Sequence, residues 1–388
     1  MKHVALIIET SRTYGREILL GVKKYVNENS NWSMFLELRD LDSGPPPWLK
    51  NWKGDGILTR SGNSLTAQAI AEAGVPTVEL RATRLGTNFP YVGVDNVKLG
   101  RDIAYHFIDR GFRNFAIYEL DTEVFFVERR NSFCDTVRSK GYESHSYCQP
   151  PLTEKPGDWE QQQDSLLKWL KDLPKPVGIL ACTDQLGYWL LDACRRANLR
   201  VPEEIAVVGV ENDECLCEMS TPPLSSMRLG GERIGYHGAY MLHQMMEGQP
   251  LASTSTYFEP SGIIVRQSSD IIAINDRWIS NALSLIRREA CQKLSVEEIL
   301  DEIPVSRSKL ERDFRRFLGR TPNEEINRVR LEKVKDLLRD TDLSIEQISQ
   351  RTGFTRPHYL HALFQKNFGK TPGEFRKSFN QTLLSKRS

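Results

Sequence analysis

Two sets of residues in this chain have types and spacings that can do chemistry. The first lies near the C-terminus on two helical faces. Arg307, Ser308, Glu311, Arg312 and Arg315 make one face, and Arg356, His358, His361 and Gln365 make the other. At a helical period they stand opposite apolar stripes of Leu310, Phe314 and Phe317, and of Leu360, Leu363, Phe364 and Phe368, so the polar faces are left free. A free face rich in arginine suits nucleic acid. Arginine pairs bidentately with guanine, glutamate accepts from cytosine, and most remaining contacts go to phosphate.

The second set follows apolar runs of strand length. Tyr14 and Arg16 come after the first run, Arg129 after the run at 115–120, Asp184 after 177–182, and Glu211 and Asn212 after 205–210. Acids, an amide and arginines brought to one cleft can bond the hydroxyls of a sugar. An aromatic among Tyr14, Phe125, Phe126, Tyr188 and Trp189 would then stack on its C–H face. Taken singly, each residue also has a structural reading: Asp184 and Asn212 as caps of the helices that follow, the aromatics as core. Their joint placement at strand ends favours the cleft.

The elements that must position the first set are written twice. Residues 294–322 and 343–372 align with ten identities when one residue of slack is allowed before Leu310/Leu360, and both close on Gly-x-Thr-Pro. Ser295 with Glu298 three residues on reads as a capping box, Pro304 ends that short helix, and Ser306 caps the next. In the second copy Ser344 caps, Gly353 turns and Pro357 sits in the first turn of the reading helix. A helix over 278–291 precedes the pair, and Thr321-Pro322 opens a connecting helix through Val334 and Leu338. Each copy has the grammar of a helix-turn-helix. A rigid connector would hold the two reading helices about one DNA turn apart, on the order of 34 Å. Solvated amphipathic helices alone would not explain the repeated cap, turn and close. The copies differ: the first is arginine-rich, whereas the second carries Pro357, His358 and Ala362. The first is therefore expected to specify sequence and the second to add reach and affinity. His358 and His361 have metal-pair spacing, but no third ligand accompanies them, so no metal is expected.

The second set rests on alternating strands and helices. Strand-length runs fall at 4–10, 34–38, 56–59, 76–80, 91–95, 115–120, 177–182 and 205–210. Helix-length segments fall at 16–28, 66–73, 98–110, 128–140, 158–173 and 185–198. Runs that are apolar throughout predict parallel sheets covered on both faces, with ligands bound beyond the C-terminal ends of the strands.

Composition fits both readings. The chain has 388 residues, 39% hydrophobic and 27% charged, which bounds it to two or three globular domains. The net charge of +1 hides an asymmetry: from Asp276 onward 23 basic residues face 16 acidic ones, a balance of +7, against −6 before it. A basic head on an acidic body suits contact with DNA. Seven scattered cysteines without a Cys-x-x-Cys point to a reducing compartment and argue against a disulfide framework or zinc site. No signal-peptide-like start or membrane-length apolar run is present, so a cytoplasmic protein is expected. Against an enzyme, Gly230-Gly231 does not continue into a phosphate loop, and there is no nucleophile elbow or metal-ligand cluster.

The segments HVALIIETSRTYGREILLGV, YVGVDNVKLGRDIAYHFIDRGFRNFAIY and ILACTDQLGYWLLDACRRANLRVPEEIAVVGVENDE resemble the effector domain of LacI/GalR-type regulators, itself similar to periplasmic sugar-binding proteins. The C-terminal repeat resembles the AraC/XylS-type DNA-binding domain. A LacI-like sensor before an AraC-like head is the order found in regulators of xylose operons. The resemblance implies a two-lobed α/β sensor of parallel sheets over residues 1–270, a linker at 271–275, and an all-α head with two helix-turn-helix units over 276–388. It carries the family's ligand arginine onto Arg129, its strand-end acid onto Asp184, its paired acids onto Glu211 and Asn212, and its first-loop contacts onto Tyr14 and Arg16. Glu-Asn departs from the Asp-Asp or Asp-Asn of many members, and the longer acid changes the reach to a hydroxyl. Asp95-Asn96, also a family feature, reads as a turn and cap.

The implied function is an activator of a sugar-utilisation operon. It would bind double-stranded operator DNA, respond to a pentose (xylose first), act as a homodimer with RNA polymerase and need no cofactor. A repressor, a regulator sensing another sugar or a non-sugar ligand, and a sugar-modifying enzyme are the alternatives.

Overall fold

The apolar runs become strands because β-branched and aliphatic residues fill both faces of a pleated sheet covered by helices. The structure, a computed structural model, describes residues 1–40, 43–60, 62–81, 88–120, 123–150, 158–271, 276–292, 294–341, 343–354 and 356–377. It forms two compact units, Met1–Ile271 and Ile272–Ser388. Of the expected linker, residues 272–275 lie outside the described residues.

The first unit holds two six-stranded sheets. One contains β1 (Lys2–Ile8), β2 (Trp32–Leu36), β3 (Gly56–Arg60), β4 (Thr77–Glu79), β5 (Tyr91–Val94) and β11 (Ser255–Phe258), in the order β11-β5-β4-β3-β1-β2 and parallel throughout. The other contains β6 (Asn114–Glu119), β7 (Ser144–Cys148), β8 (Val177–Ala181), β9 (Ile205–Val210), β10 (Ser225–Arg228) and β12 (Gly262–Ile264), in the order β12-β10-β9-β8-β6-β7. Only β12 runs antiparallel there, against β10. The helices are α1 (Thr13–Asn29), α2 (Ser64–Ala73), α3 (Asn96–Asp109), α4 (Val124–Ser139), α5 (Asp158–Asp172), α6 (Asp184–Arg196), α7 (Glu214–Met219) and α8 (Gly231–Met246).

The chain crosses between the sheets after β5, after β10 and after β11. The gap between them is therefore lined by segments from both halves of the unit. Helix α8 returns to the first sheet and packs on α1 at a glycine-lined crossing. A Cβ on Gly235 would sit 1.9 Å from the Ile18 carbonyl oxygen, and one on Gly21 would sit 2.0 Å from that of Glu232. Strands β3, β8 and β9 are buried at every position. The polar edge strand β7 and the short β10, β11 and β12 lack such runs, which is why periodicity does not announce them.

The second unit is helical: α9 (Arg277–Glu289), α10 (Val296–Glu302), α11 (Arg307–Leu318), α12 (Pro322–Asp340), α13 (Ile345–Arg351) and α14 (Pro357–Phe368). Ser295–Glu298 and Ser344–Gln347 form capping boxes at equivalent places in the two copies, and Thr321–Glu324 forms one at the start of α12. Helices α11 and α14 both end on glycines in the left-handed region, Gly319 at φ +69° and Gly369 at φ +71°. Leu310, Phe314, Leu360 and Phe364 are fully buried, while Phe317, Leu363 and Phe368 are half-buried beside them.

Candidate functional site

Parallel strands bring their C-terminal ends to the gap between the sheets, where side chains line a half-open pocket of about 360 Å³, open solvent included. Tyr14, Arg60, Arg81 and Tyr91 line it from the first sheet's side, and Asn96, Phe125, Arg129 and Glu211 from the second's. Register explains the floor. Ile8 pairs with Arg60 across β1 and β3, so Glu9 emerges beside Arg60 and the two form an ion pair, 1% and 6% exposed. The Arg60 guanidinium also covers the Tyr14 ring, 4.8 Å from its centre. Burial raises the Tyr14 hydroxyl above its ordinary range, keeping it a neutral donor.

Several contacts among the described residues join the two sides, one of them an ion pair of 3.9 Å between Arg228 and Glu17. Arg81 Nη2 donates to Glu123 Oε1 at 3.0 Å, Thr13 Oγ1 donates to Asp213 Oδ2 at 2.7 Å, and Arg12 lies 3.6 Å from Glu211. Arg129, carried on α4, is held by donating from Nε to Asn96 Oδ1 and from Nη1 to the Cys182 carbonyl, both at 2.9 Å. Its guanidinium lies 4.9 Å from the centre of the Phe125 ring. Asp95 caps α3, as its sequence position implies, accepting from the Lys98 N–H at 2.7 Å, whereas Asn96 also lines the cavity and orients Arg129.

Glu211 enters the cavity from a strained turn. Its φ is +111° and that of Asn212 is +54°, conformations that cost non-glycine residues roughly 1–3 kcal/mol each and persist where surroundings enforce them. The enforcement is visible: Glu211 N–H donates to the Met227 carbonyl and Asn212 N–H to Ser226 Oγ, both at 3.0 Å. Asp184 braces the same turn. It accepts from Ser226 Oγ at 2.5 Å and from the Asp213 N–H at 2.6 Å, and is fully buried.

The structure thus brings Tyr14, Arg129 and Glu211 to the cavity wall. Asp184 and Asn212 stand behind it, the latter's Oδ1 accepting from Arg266 Nη1 at 3.0 Å. Arg16 is exposed and braces the first loop, donating to the Thr10 carbonyl at 2.8 Å and Thr13 Oγ1 at 3.0 Å. The helix caps fall to neighbours: Thr183 caps α6 and Asp213 caps α7. Sequence reasoning missed Arg60, Arg81, Tyr91, Asn96 and Glu9. Charged residues ending adjacent apolar strands, Glu9 after β1, Arg60 in β3 and Glu79 in β4, were the available signal.

Two buried acids give the unit a pH dependence. Burial pushes the carboxyl of Glu79 up to about 8, even though it accepts from the Leu80 and Arg81 N–H groups, and burial likewise pushes Asp184 up to about 8. Both keep a proton in the folded chain at pH 7 but ionise near pH 4 once unfolded. Between those values the unfolded chain binds fewer protons, so stability falls as pH rises from about 4.5 to about 8, by on the order of 1 kcal/mol per pH unit for each group. Urea midpoints should be lower at pH 8 than at pH 5, with a smaller gap in Glu79→Gln. A midpoint that climbs over this range would contradict the assignment.

On the helical unit, Arg307 is already engaged, donating to Glu297 Oε1 at 2.6 Å and to Glu311 Oε1 at 3.3 Å. The Arg312 side chain is 71% exposed, and Ser308 and Arg315 are exposed on the same helix. On α14, Arg356, His358 and Gln365 are exposed and His361 is half-buried. Tyr359, also exposed, accepts from Asn327 Nδ2 at 3.3 Å and was not anticipated. A buried cluster locks the connector: Glu325 accepts from Arg328 Nη2 at 2.8 Å and from Arg320 Nε at 2.5 Å. Although burial opposes it, these arginines hold the Glu325 carboxyl below its ordinary value.

Comparison with known proteins matches every part of this architecture. Residues 3–97 match the XylR N-terminal domain, 104–269 a periplasmic binding protein-like domain, and 299–378 a helix-turn-helix domain. The xylose operon regulatory protein of Haemophilus influenzae is 30% identical over 381 residues, covering 96% of this chain and 97% of that protein. The Escherichia coli K12 protein of the same name is also 30% identical, covering 98% of each. A solved structure of the xylose-binding transcription activator XylR superposes with a TM-score of 0.79 at 30% identity, over 97% of this chain and 98% of that one. The sensor fold alone recurs in the CelR–cellobiose complex, with a TM-score of 0.56 at 23% identity over 69% of this chain and 84% of that one. Two parallel-sheet lobes, a doubled helix-turn-helix and near-full-length likeness converge: the chain belongs to the family of xylose operon regulatory proteins, which are transcription regulators.

Proposed function

We propose that the chain binds a monosaccharide, a pentose with xylose first, in the cavity between the sheets, and that binding controls its engagement of operator DNA as an activator. One observation carries the sensor half. Buried N–H donors without partners among the described residues, Arg60 Nε and Arg81 Nε and Nη1, belong to side chains that line the cavity, and a polyhydroxylated ligand satisfies such donors. Tyr14, Arg129 and Glu211, with Arg60 and Arg81, would contact the ligand. Arg16, Asp184 and Asn212 would act behind them by fixing the loops. Closure would shift the population toward one arrangement only if the sugar binds that arrangement better. Cross-sheet contacts such as Arg81–Glu123 would supply part of the difference.

We place DNA contact on α11, through Ser308, Glu311, Arg312 and Arg315 with Arg307 as their brace, and on α14, through Arg356, His358, His361 and Gln365. A homodimer engaging RNA polymerase in the cytoplasm completes the reading, in which the chain is a binder and not an enzyme. Among the described residues no helix is long and apolar enough to cross a membrane.

Calorimetry with a panel of pentoses and hexoses, followed by operator binding with and without the best ligand, tests the proposal. Operator binding that persists while no sugar produces heat would defeat the sensor half. For the head, Arg312→Ala should weaken operator binding by roughly 1–3 kcal/mol, because that side chain is 71% exposed and, beside a 3.5 Å contact with Asp313, available to read a base. Arg307→Ala should cost less, since its guanidinium is already shared between two carboxylates. Equal losses on operator and random DNA would reduce Arg312 to a phosphate contact.

A further inference from the structure

The first copy of the repeat buries an acid where the second buries a leucine. Aligned on Leu310 and Leu360, the second copy carries Ala362-Leu363 where the first carries Arg312-Asp313. Leu363 packs against the apolar cluster of its copy, whereas Asp313 fills the matching slot with a side chain that is 5% exposed. An acid in such a slot is costly unless its charge is answered. The arginine and the acid are present together in one copy and absent together from the other. We propose that Asp313 is a positioning residue for DNA reading: its carboxylate buttresses Arg312, so that this arginine presents its two terminal nitrogens to one guanine. The proposal rests on the placement of base reading on α11, and it names the residue that sharpens the specificity of that helix.

Both oxygens of the Asp313 carboxylate meet a cation. Lys309, one turn earlier on α11, donates from Nζ to Oδ2 at 2.5 Å, and Arg312 Nε lies 3.5 Å from Oδ1. The Lys309 hydrogen bond holds the carboxyl below its ordinary value, so it is ionised at neutral pH. Lys309 is anchored in turn, 3.8 Å from Asp276, whose carboxylate caps α9 by accepting from the Trp278 and Ile279 N–H groups at 2.9 and 3.2 Å. The acid is therefore held on both sides and by burial. The arginine is not: its side chain is 71% exposed, and no other partner meets it among the described residues. A free arginine loses rotamer entropy when it docks on a base, and a contact that holds it beforehand lowers that cost. The contact runs through Nε. Bidentate pairing with guanine O6 and N7 takes two N–H donors, and an acid at Nε leaves both terminal nitrogens for it. A carboxylate also repels phosphate, so Asp313 weakens contact with DNA of every sequence while helping at one base pair. Both effects raise discrimination.

The test takes the full chain, an operator duplex selected with it from a randomised pool, and duplexes changed at one base pair each, all at one salt concentration. Arg312→Ala identifies the pair that this arginine reads: changing that pair should cost the unsubstituted protein about tenfold or more in affinity and leave the variant almost unaffected. Asp313→Asn should cut the penalty at that pair to about threefold or less while the penalties at other pairs persist. Its affinity for random DNA should be equal or higher. Asp313→Glu, which keeps the charge, should retain part of the penalty. The double variant should match Arg312→Ala, because the acid acts through the arginine. A full penalty in Asp313→Asn would overturn the buttress and leave Arg312 a base reader. An equal loss of affinity for every duplex in both Asp313 variants would reduce the acid to a structural residue of α11 and overturn the proposal as well. If Arg312→Ala relaxed no single pair, base reading by that arginine would itself fall.

Discussion

Arg60→Met should destabilise the sensor unit by about 3–5 kcal/mol, and adding Glu9→Leu should recover most of the loss. The single change strands a carboxylate that is 1% exposed, one of whose oxygens already lacks a partner among the described residues. Water cannot compensate there, because Glu9 follows β1 and Arg60 ends β3, two adjacent strands in the middle of the first sheet. Removing both charges takes away the desolvation penalty together with the attraction, so a buried pair and its apolar replacement are often close in stability. Calorimetric unfolding of the three variants at one pH reads the cycle directly. A loss below about 1 kcal/mol in the single variant would mean that the pair is solvated and behaves like a surface bridge. The double variant also separates folding from function. It should fold yet bind sugar poorly, because Arg60 supplies an unpartnered donor to the cavity and covers the Tyr14 ring.

The location of the cleft was legible in the sequence because topology sets it. Apolar runs alternating with helices require parallel sheets, and parallel sheets place ligands beyond their strand ends. Tyr14, Arg129 and Glu211 follow from that rule. What each strand-end residue does was less legible, because it depends on angles that one-dimensional spacing does not record. Asp184 and Glu211 both follow apolar runs, yet Asp184 turns inward to hold Ser226 and the Asp213 amide, while a positive φ swings Glu211 into the cavity. Arg60 was hidden for a different reason. A charge at the end of a buried strand looks like the beginning of a loop until the neighbouring strand, far away in sequence, brings Glu9 beside it. The helical head was read almost element by element, since caps, turns and apolar stripes are local signals. Its exception was the engagement of Arg307, which needs Glu297 from the preceding helix.

Phe314→Ala and Phe364→Ala probe whether the two helix-turn-helix copies do different work. Each ring is fully buried at the same position of the repeat, and each truncation should cost about 3–5 kcal/mol from lost burial and the cavity left behind. The consequences should differ because the cores differ. Phe364 belongs to a cluster with Leu331, Val334, Leu338, Ile348, Phe354 and Leu360, built on the connector α12 and the second copy. Phe314 lies in α11, which packs on α9 and α12. Loosening α11 misplaces the helix whose exposed Arg312 and Arg315 are available to a groove. Phe314→Ala should therefore abolish discrimination between operator and random DNA. Loosening α14 should lower affinity for both DNAs while much of the discrimination survives, since that helix offers Pro357 and Ala362 where the first copy offers serine and arginine. Competition binding with operator and scrambled duplexes at one fixed salt concentration measures both quantities, and salt must be fixed because phosphate contacts make affinity steeply salt-dependent. Sugar affinity, measured on the same variants, should stay unchanged, which distinguishes a local lesion from global unfolding. If Phe364→Ala erased discrimination as completely as Phe314→Ala, the two copies would be equal readers and the operator would contain two comparably specified half-sites.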